Sequence, residues 1–168
     1  NPNVFKGMDS DSVYLKKLGD RFWHFKGTIS KTAAISTSSD HNVHDEASRS
    51  DQPTIERYKS RQDASKYKRR WMFSNPTVEK DLIAQKWWES DQKEWVCTCS
   101  NGHEERLIWP ESIDVPKQIF ICSQCKIELN REQRRTGKWQ AQNPGAKVSG
   151  YHISHLMAPW KSAEDIIK

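Results

Sequence analysis

The sequence predicts an α/β fold carrying a small, β-rich, metal-clipped appendage. Three observations lead there. Between residues 40 and 89, strand-like and helix-like segments alternate, the order expected of a parallel α/β layer. Four cysteines fall in two tight clusters, at 97/99 and 122/125, and such clustering in a chain for which no secretory leader is expected suits a metal ion better than disulfides. Aliphatic side chains are scarce: Leu, Ile, Val and Phe make up about 18% of the 168 residues, while eight Trp supply bulky apolar surface. That share is below the ~20% at which a highly charged chain stays disordered. The net charge is only +5, so a folded but core-poor protein is expected.

Composition also excludes. Mean hydropathy is −0.94, and no apolar run approaches the ~18 residues of a membrane-spanning helix. Asn1 to Ser10 lack a basic stretch followed by an apolar one, so no secretory leader is expected. There is no initiator Met, and a fragment or processed product is expected. A pI near 9.0 is compatible with a polyanionic partner such as nucleic acid.

Taken in order, residues 12–27 read as two short strands about Gly19-Asp20, with Phe22, Trp23 and Phe25 favouring extension and Gly27 ending it. Residues 30–37, small and polar, read as a crossover or short helix. Residues 40–46 form a strand in which only Val43 is strongly apolar. Asp51 suits an N-cap and Pro53 a first turn, predicting a helix to about residue 65. Residues 68–73 read as a buried strand with a basic entrance. Asn75-Pro76 is a second N-cap and proline pair, and Val78, Leu82, Ile83 and Trp87 predict a helix over 78–89. Residues 95–129 read as short strands with cysteines at their turns. Residues 145–160 read as a strand, on which His152 and His155 would face opposite sides, so neither is assigned a metal. Ser162 to Asp165 resembles a capping box opening a last helix. The expected divisions are 1–90, 91–140 and 141–168.

The cysteine spacing specifies chemistry. Cys122 and Cys125 form a C-x2-C knuckle, which can place two thiolates on one ion at ~2.3 Å. In the other cluster, Cys97 and Cys99 cannot easily both reach one ion unless a turn intervenes. Cys99 and His103, joined through an Asn-Gly turn, make a better first half. The expected ligands are therefore Cys99, His103, Cys122 and Cys125, with Cys97 as substitute for His103. Four protein ligands leave no position for water, so the expected role of the ion, zinc, is structural.

Asp45-Glu46 closes the candidate strand 40–46. One acid there can hold magnesium while the next orients a water for attack on a phosphate. If strand 69–73 runs parallel beside it, Ser74-Asn75 would share the same carboxyl edge, where open α/β sheets bind ligands. Arg49 could meet a γ-phosphate or pair with a neighbouring acid. Residues 57–70 carry Arg57, Lys59, Arg61, Lys66, Lys68, Arg69 and Arg70 against Asp63 only, either a DNA-facing patch or a solvated helix face. Trp87, Trp88, Trp95, Trp109 and Trp139 surround the metal segment and are expected mainly to pack its small core.

Together these stretches resemble the lambda-type large terminase subunit, the ATPase and nuclease that packages tailed-phage DNA. The matching pieces are DSVYLKKLGDRFWHFKG (11–27), SSDHNVHDEASRSD (38–51), RRWMFSNPTVEKDLI (69–83), WWESDQKEWVCTCSNGH (87–103), FICSQCKIEL (120–129), TGKWQ (136–140) and SGYHISHLMAPW (149–160). Order and spacing are kept over about residues 11–165. The resemblance implies part of a P-loop-type, additional-strand ATPase sheet up to about residue 90, followed by a zinc-ribbon insertion. Asp45 and Glu46 would be the Walker B acid and catalytic glutamate, and Ser74-Asn75 the motif coupling hydrolysis to movement. The implied cofactors are structural zinc, with ATP and magnesium in the complete protein. The implied partners are double-stranded DNA, the small terminase subunit and the portal or procapsid, in an oligomeric motor within the cytoplasm of an infected bacterium. Two departures stand out. Family members commonly carry C-x2-C at the first knuckle, where this chain has Cys99 and then Gly102-His103. No G-x4-G-K-[ST] loop occurs in the 168 residues, so the phosphate cradle must come from elsewhere. The competing expectation is a stand-alone zinc-ribbon module that binds nucleic acid or protein without catalysis.

Overall fold

The computed structural model describes residues 11–28, 32 and 37–168. The chain forms two compact units, residues 1–84 and 85–168. The 30–37 crossover expected from the sequence lies almost wholly outside the described residues. Among the described residues, no helix is long and apolar enough to cross a membrane.

The first unit opens with an antiparallel meander of β1 (Asp11–Ser12), β2 (Leu15–Leu18) and β3 (Arg21–His24). Leu18 pairs with Arg21 across the expected Gly19-Asp20 turn. Gly19 takes φ +59°, the positive-φ geometry that lets a two-residue hairpin loop follow the twist of its strands.

Next come β4 (His41–His44), α1 (Gln52–Ser60) and β5 (Arg69–Met72). β4 and β5 are parallel, with His44 opposite Met72. Asp51 caps α1, its carboxylate accepting from Thr54 N at 3.1 Å and Thr54 Oγ1 at 2.6 Å. The helix stops five residues short of the expected end. Gln62 there is buried and donates to the carbonyls of Asp40 (2.9 Å) and Arg69 (2.7 Å), a tie that a continuing α1 would forfeit. The sheet is smaller than a P-loop core: the described residues give a parallel pair and three antiparallel sheets of two or three strands.

The polarity of the parallel pair is inverted. Asn42 and His44 are buried beneath α1, where Asn42 Nδ2 donates to Tyr58 O at 2.8 Å. The opposite face exposes Val43, Trp71 and Phe73, each about half accessible. Strand 68–73 is therefore not the buried strand its composition suggests. Apolar content is there, but it faces away from the only helix packed on this pair among the described residues.

α2 spans Leu82–Trp88, four residues later than the periodicity from Val78 predicts. Asn75 is not its cap. Asp81 takes that role, accepting from Ala84 N at 2.9 Å and Thr77 N at 2.5 Å. Those backbone bonds, Ala84 first, hold the Asp81 carboxyl down at about 2.

In the second unit, β6 (Lys93–Thr98) is central in an antiparallel sheet with β7 (Glu104–Arg106) and β10 (Lys138–Ala141). β8 (Ile113–Asp114) and β9 (Ile119–Phe120) form a small hairpin. α3 (Arg131–Arg135) and α4 (Ala163–Ile167) each begin in a full capping box, Asn130 with Gln133 and Ser162 with Asp165. The core gathers Cys97, Cys99, Leu107, Ile113, Phe120, Cys122, Leu129, Leu156 and Ala163. Trp95 packs against it and donates Nε1 to Arg134 O at 2.8 Å. Trp88, Trp109 and Trp160 remain exposed.

The strand expected over 145–160 does not form. Val148 and Tyr151 make single parallel bridges to Ser90 and Lys93, and His155–Met157 form one 3-10 turn. A buried guanidinium explains the rest. Arg134 donates to the carbonyls of Leu156 (3.0 Å), Ala158 (3.2 Å) and Lys161 (3.1 Å), and stacks 3.7 Å from the centroid of Phe120. Carbonyls turned toward one cation cannot serve a strand ladder. His152 pairs with Glu94 at 2.9 Å, away from any metal-type cluster.

Candidate metal centre

The sequence places the first ligand pair at the end of a strand. β6 stops at Thr98, and Cys99 N donates to His103 O at 3.0 Å while Gly102 N donates to Cys99 O at 2.9 Å. This closed turn needs the left-handed backbone of Gly102, φ +81°. The second pair sits on a matching turn. Cys122 N donates to Ile127 O and Lys126 N to Cys122 O, each at 2.9 Å. Here Lys126 adopts φ +59°, a conformation that disfavours a side chain by about 1–2 kcal/mol.

Folding brings the two turns together. One ligand atom from each of Cys99, His103, Cys122 and Cys125 lies within 4.8 Å of every other. Cys99 Sγ is 3.6 Å from His103 Nδ1 and 3.9 Å from Cys125 Sγ, and Cys122 Sγ is 3.7 Å from the same nitrogen. A tetrahedral ion with ~2.3 Å sulfur and ~2.05 Å nitrogen bonds has edges of about 3.8 Å (S–S) and about 3.6 Å (S–N). The observed separations match both edges. The donor set thus fits a tetrahedral metal ion, with His103 presenting Nδ1.

Cys97 stands apart. It lies inside β6, one strand step before the turn, with its Sγ 3.6 Å from the Glu105 carbonyl. Burial, then the Glu105 charge, push its thiol up to about 11. Cys122 is also pushed to about 11 by burial. Burial acts the same way on Cys99, but the backbone N–H groups of His103 and Asn101, then Cys125 and Cys122, outweigh it and bring that thiol below its ordinary value. A bound dication would favour the thiolates throughout.

Glu105 is a residue that spacing arguments overlook. It is 2% exposed, and its carboxylate accepts from Ser112 Oγ at 3.0 Å and Ser123 Oγ at 2.9 Å, with Cys122 Sγ 3.5 Å away. It braces the second turn from beneath. Alternation along β7 would have put it indoors, but nothing local pairs it with serines 7 and 18 positions on.

A second cluster lies at the carboxyl ends of β4 and β5. Asp45 follows β4 directly, and Glu46 takes a left-handed turn at φ +48° into a 3-10 turn, Ala47–Arg49. Phe73 N donates to His44 O at 2.8 Å and Ala47 N to Phe73 O at 3.0 Å, so the two strand tips are laced together. Ser48 N donates to Ser74 Oγ at 3.2 Å. Asp45, Glu46 and Asn75 are exposed and Ser74 is half-buried. Arg49 lies 3.7 Å from Glu46, an exposed pair of little energetic weight. In the basic run, Arg70 and Lys59 both approach Glu56, at 3.8 and 3.9 Å.

What fold and site define is a mixed α/β chain with small sheets and a Cys3His cluster able to hold a metal ion. No family model, curated protein or solved structure matches the chain.

Proposed function

We propose that this chain is a segment of a viral DNA-packaging motor, a large terminase subunit of the lambda type, in which part of the ATPase core is followed in sequence by a ribbon held by a structural zinc. The observation that carries the reading is the parallel β4–β5 pair, because it brings Asp45-Glu46 and Ser74-Asn75 to one edge. That is the arrangement the sequence resemblance calls for. At such an edge Asp45 would hold the magnesium of a nucleotide, Glu46 would accept a proton from attacking water, and Ser74-Asn75 would report the nucleotide state to the rest of the motor. Cys99, His103, Cys122 and Cys125 would hold zinc, whose contribution is to fix the two turns. Double-stranded DNA, the portal and the small subunit would be the partners of the assembled motor in the infected host.

The test is a Glu46→Gln substitution in the packaging motor that contains this chain. ATP should still bind while turnover falls by at least 100-fold. Unchanged turnover would remove Glu46 from catalysis. The isolated 168 residues, lacking a glycine-rich Lys-Ser/Thr loop, should show no hydrolysis above a Glu46→Ala control. A stand-alone ribbon gains ground if they instead bind DNA with an affinity that falls steeply with salt and is lost on charge reversal at Arg69 and Arg70.

A further inference from the structure

The acid turn, the tip of β5 and the first turn of α2 meet at one residue, Ser48. Its backbone N–H donates to Ser74 Oγ at the tip of β5, 3.2 Å away. Its hydroxyl accepts from Ile83 N, in the first turn of α2, at 3.1 Å.

The first N–H groups of a helix have no partner within it. In α2 they are shared out: Ala84 N goes to Asp81 at 2.9 Å, and Ile83 N goes to Ser48, a residue 35 positions earlier. Ser48 lies in the single 3-10 turn that follows Glu46. Arg49 N and Ser50 Oγ both donate to the Glu46 carbonyl, at 2.9 and 3.3 Å, and Gln52 Nε2 ties back to Ala47 O at 3.1 Å. A turn held this closely shifts as one piece. If Glu46 leaves its left-handed conformation, Ser48 must either carry the first turn of α2 with it or release it.

We infer that Ser48 is a positioning residue that transmits the arrangement of the acid turn and Ser74 to the first turn of α2. The inference rests on reading the Asp45–Asn75 edge as a nucleotide-hydrolysing rim, and it identifies Ile83 as the receiving end. Ser48 itself touches no reacting group.

Amide hydrogen exchange in the 168-residue chain tests the transmission without nucleotide. In Ser48→Ala, exchange at Ile83 should rise at least tenfold, while Ser48→Thr, which keeps the hydroxyl, stays within twofold of wild type. In Ser74→Ala, which removes only the acceptor for Ser48 N, exchange at Ile83 should still rise at least threefold. Ile55, buried in α1, should not change in any variant, because a general loss of stability would raise it as well. An Ile83 amide indifferent to Ser74→Ala, or a rise at Ile55 matching that at Ile83, overturns the inference. Should Ser48→Ala fail to fold, Ser48→Thr and Ser74→Ala decide the matter. Titration with Mg2+ and ATP of the packaging motor that contains this chain, read at the Asp45 and Glu46 amides, tests the rim reading separately. Silence there removes the rim but leaves the response of Ile83 to Ser74→Ala standing.

Discussion

If the Cys3His cluster holds zinc as proposed, removing the ion should unfold the second unit outright. Three of the nine residues in its buried core are cysteines, and two of these, Cys99 and Cys122, are in the cluster. Only Leu107, Ile113, Phe120, Leu129 and Leu156 bring large apolar side chains. A structural zinc contributes about 10–16 kcal/mol to folding at neutral pH, whereas a whole domain has a net stability of about 5–15 kcal/mol. At about 4–8 °C per kcal/mol for a unit of this size, losing the ion should abolish the transition rather than shift it. Cys125→Ala is the cleanest single perturbation, since Cys125 is half-buried and its truncation leaves little cavity. Thermal melts followed by Trp fluorescence report the result, because Trp95 is anchored to Arg134 and to the core. Chelator-treated protein and Cys125→Ala should both lose the cooperative transition of residues 85–168, and added Zn2+ should restore it in the former only. A metal-free protein, verified by elemental analysis, that melts at the wild-type temperature would refute the reasoning. It would mean that the small core suffices and the thiol cluster is incidental.

Other outcomes follow from the same geometry. Cys97→Ala should keep one metal ion per chain and cost about 1 kcal/mol, while Cys122→Ala should lose the ion; mass spectrometry under native conditions distinguishes them, and loss of metal in Cys97→Ala would mean the ligand set is misassigned. Arg134→Ala should destabilise the second unit by about 1–3 kcal/mol in urea denaturation, because it strips the buried Leu156 carbonyl and the part-buried carbonyls of Ala158 and Lys161 of their partner. Arg134→Lys should recover only part of that, since a point charge cannot span three acceptors. Burial first, then the Arg70 charge, lower the His44 pKa below its usual 6.5, with Glu56 opposing weakly. The unfolded chain therefore binds the proton more readily, so stability of the first unit is full above pH 6.5 and declines as pH falls through 6.5 toward the lower folded value. Urea midpoints between pH 8 and 5 should show this slope, and His44→Gln should flatten it.

Much of the local structure was legible because it is fixed by neighbours in sequence. Gly19-Asp20 sets a hairpin, Asp51 with Pro53 starts a helix, and Ser162 with Asp165 caps one, all through contacts spanning a few residues. The order strand, helix, strand, helix over 40–89 was likewise written in periodicity and caps. The spacing of Cys122 and Cys125, and the turn between Cys99 and His103, marked the cluster that folding assembles. Period two along a strand puts Cys97 and Cys99 on the same face, so spacing alone did not separate them; the fold does, by keeping Cys97 inside β6 and placing Cys99 in the turn beyond it.

Only the tertiary structure decided the rest. α1 ends early because Gln62 reaches carbonyls on two strands, and α2 starts late because Asp81, not Asn75, meets the free amides. Residues 156–161 stay irregular where Arg134, distant in sequence, claims the carbonyls of Leu156, Ala158 and Lys161. The inward face of β4–β5 is polar and the outward one apolar, contrary to what composition implies: beneath α1, Asn42 donates to Tyr58 O and His44 packs edge-on against the Tyr58 ring. Sequence sets which bonds are available within a turn or two. Which buried polar groups are satisfied, and by whom, depends on distances that the folded chain alone creates.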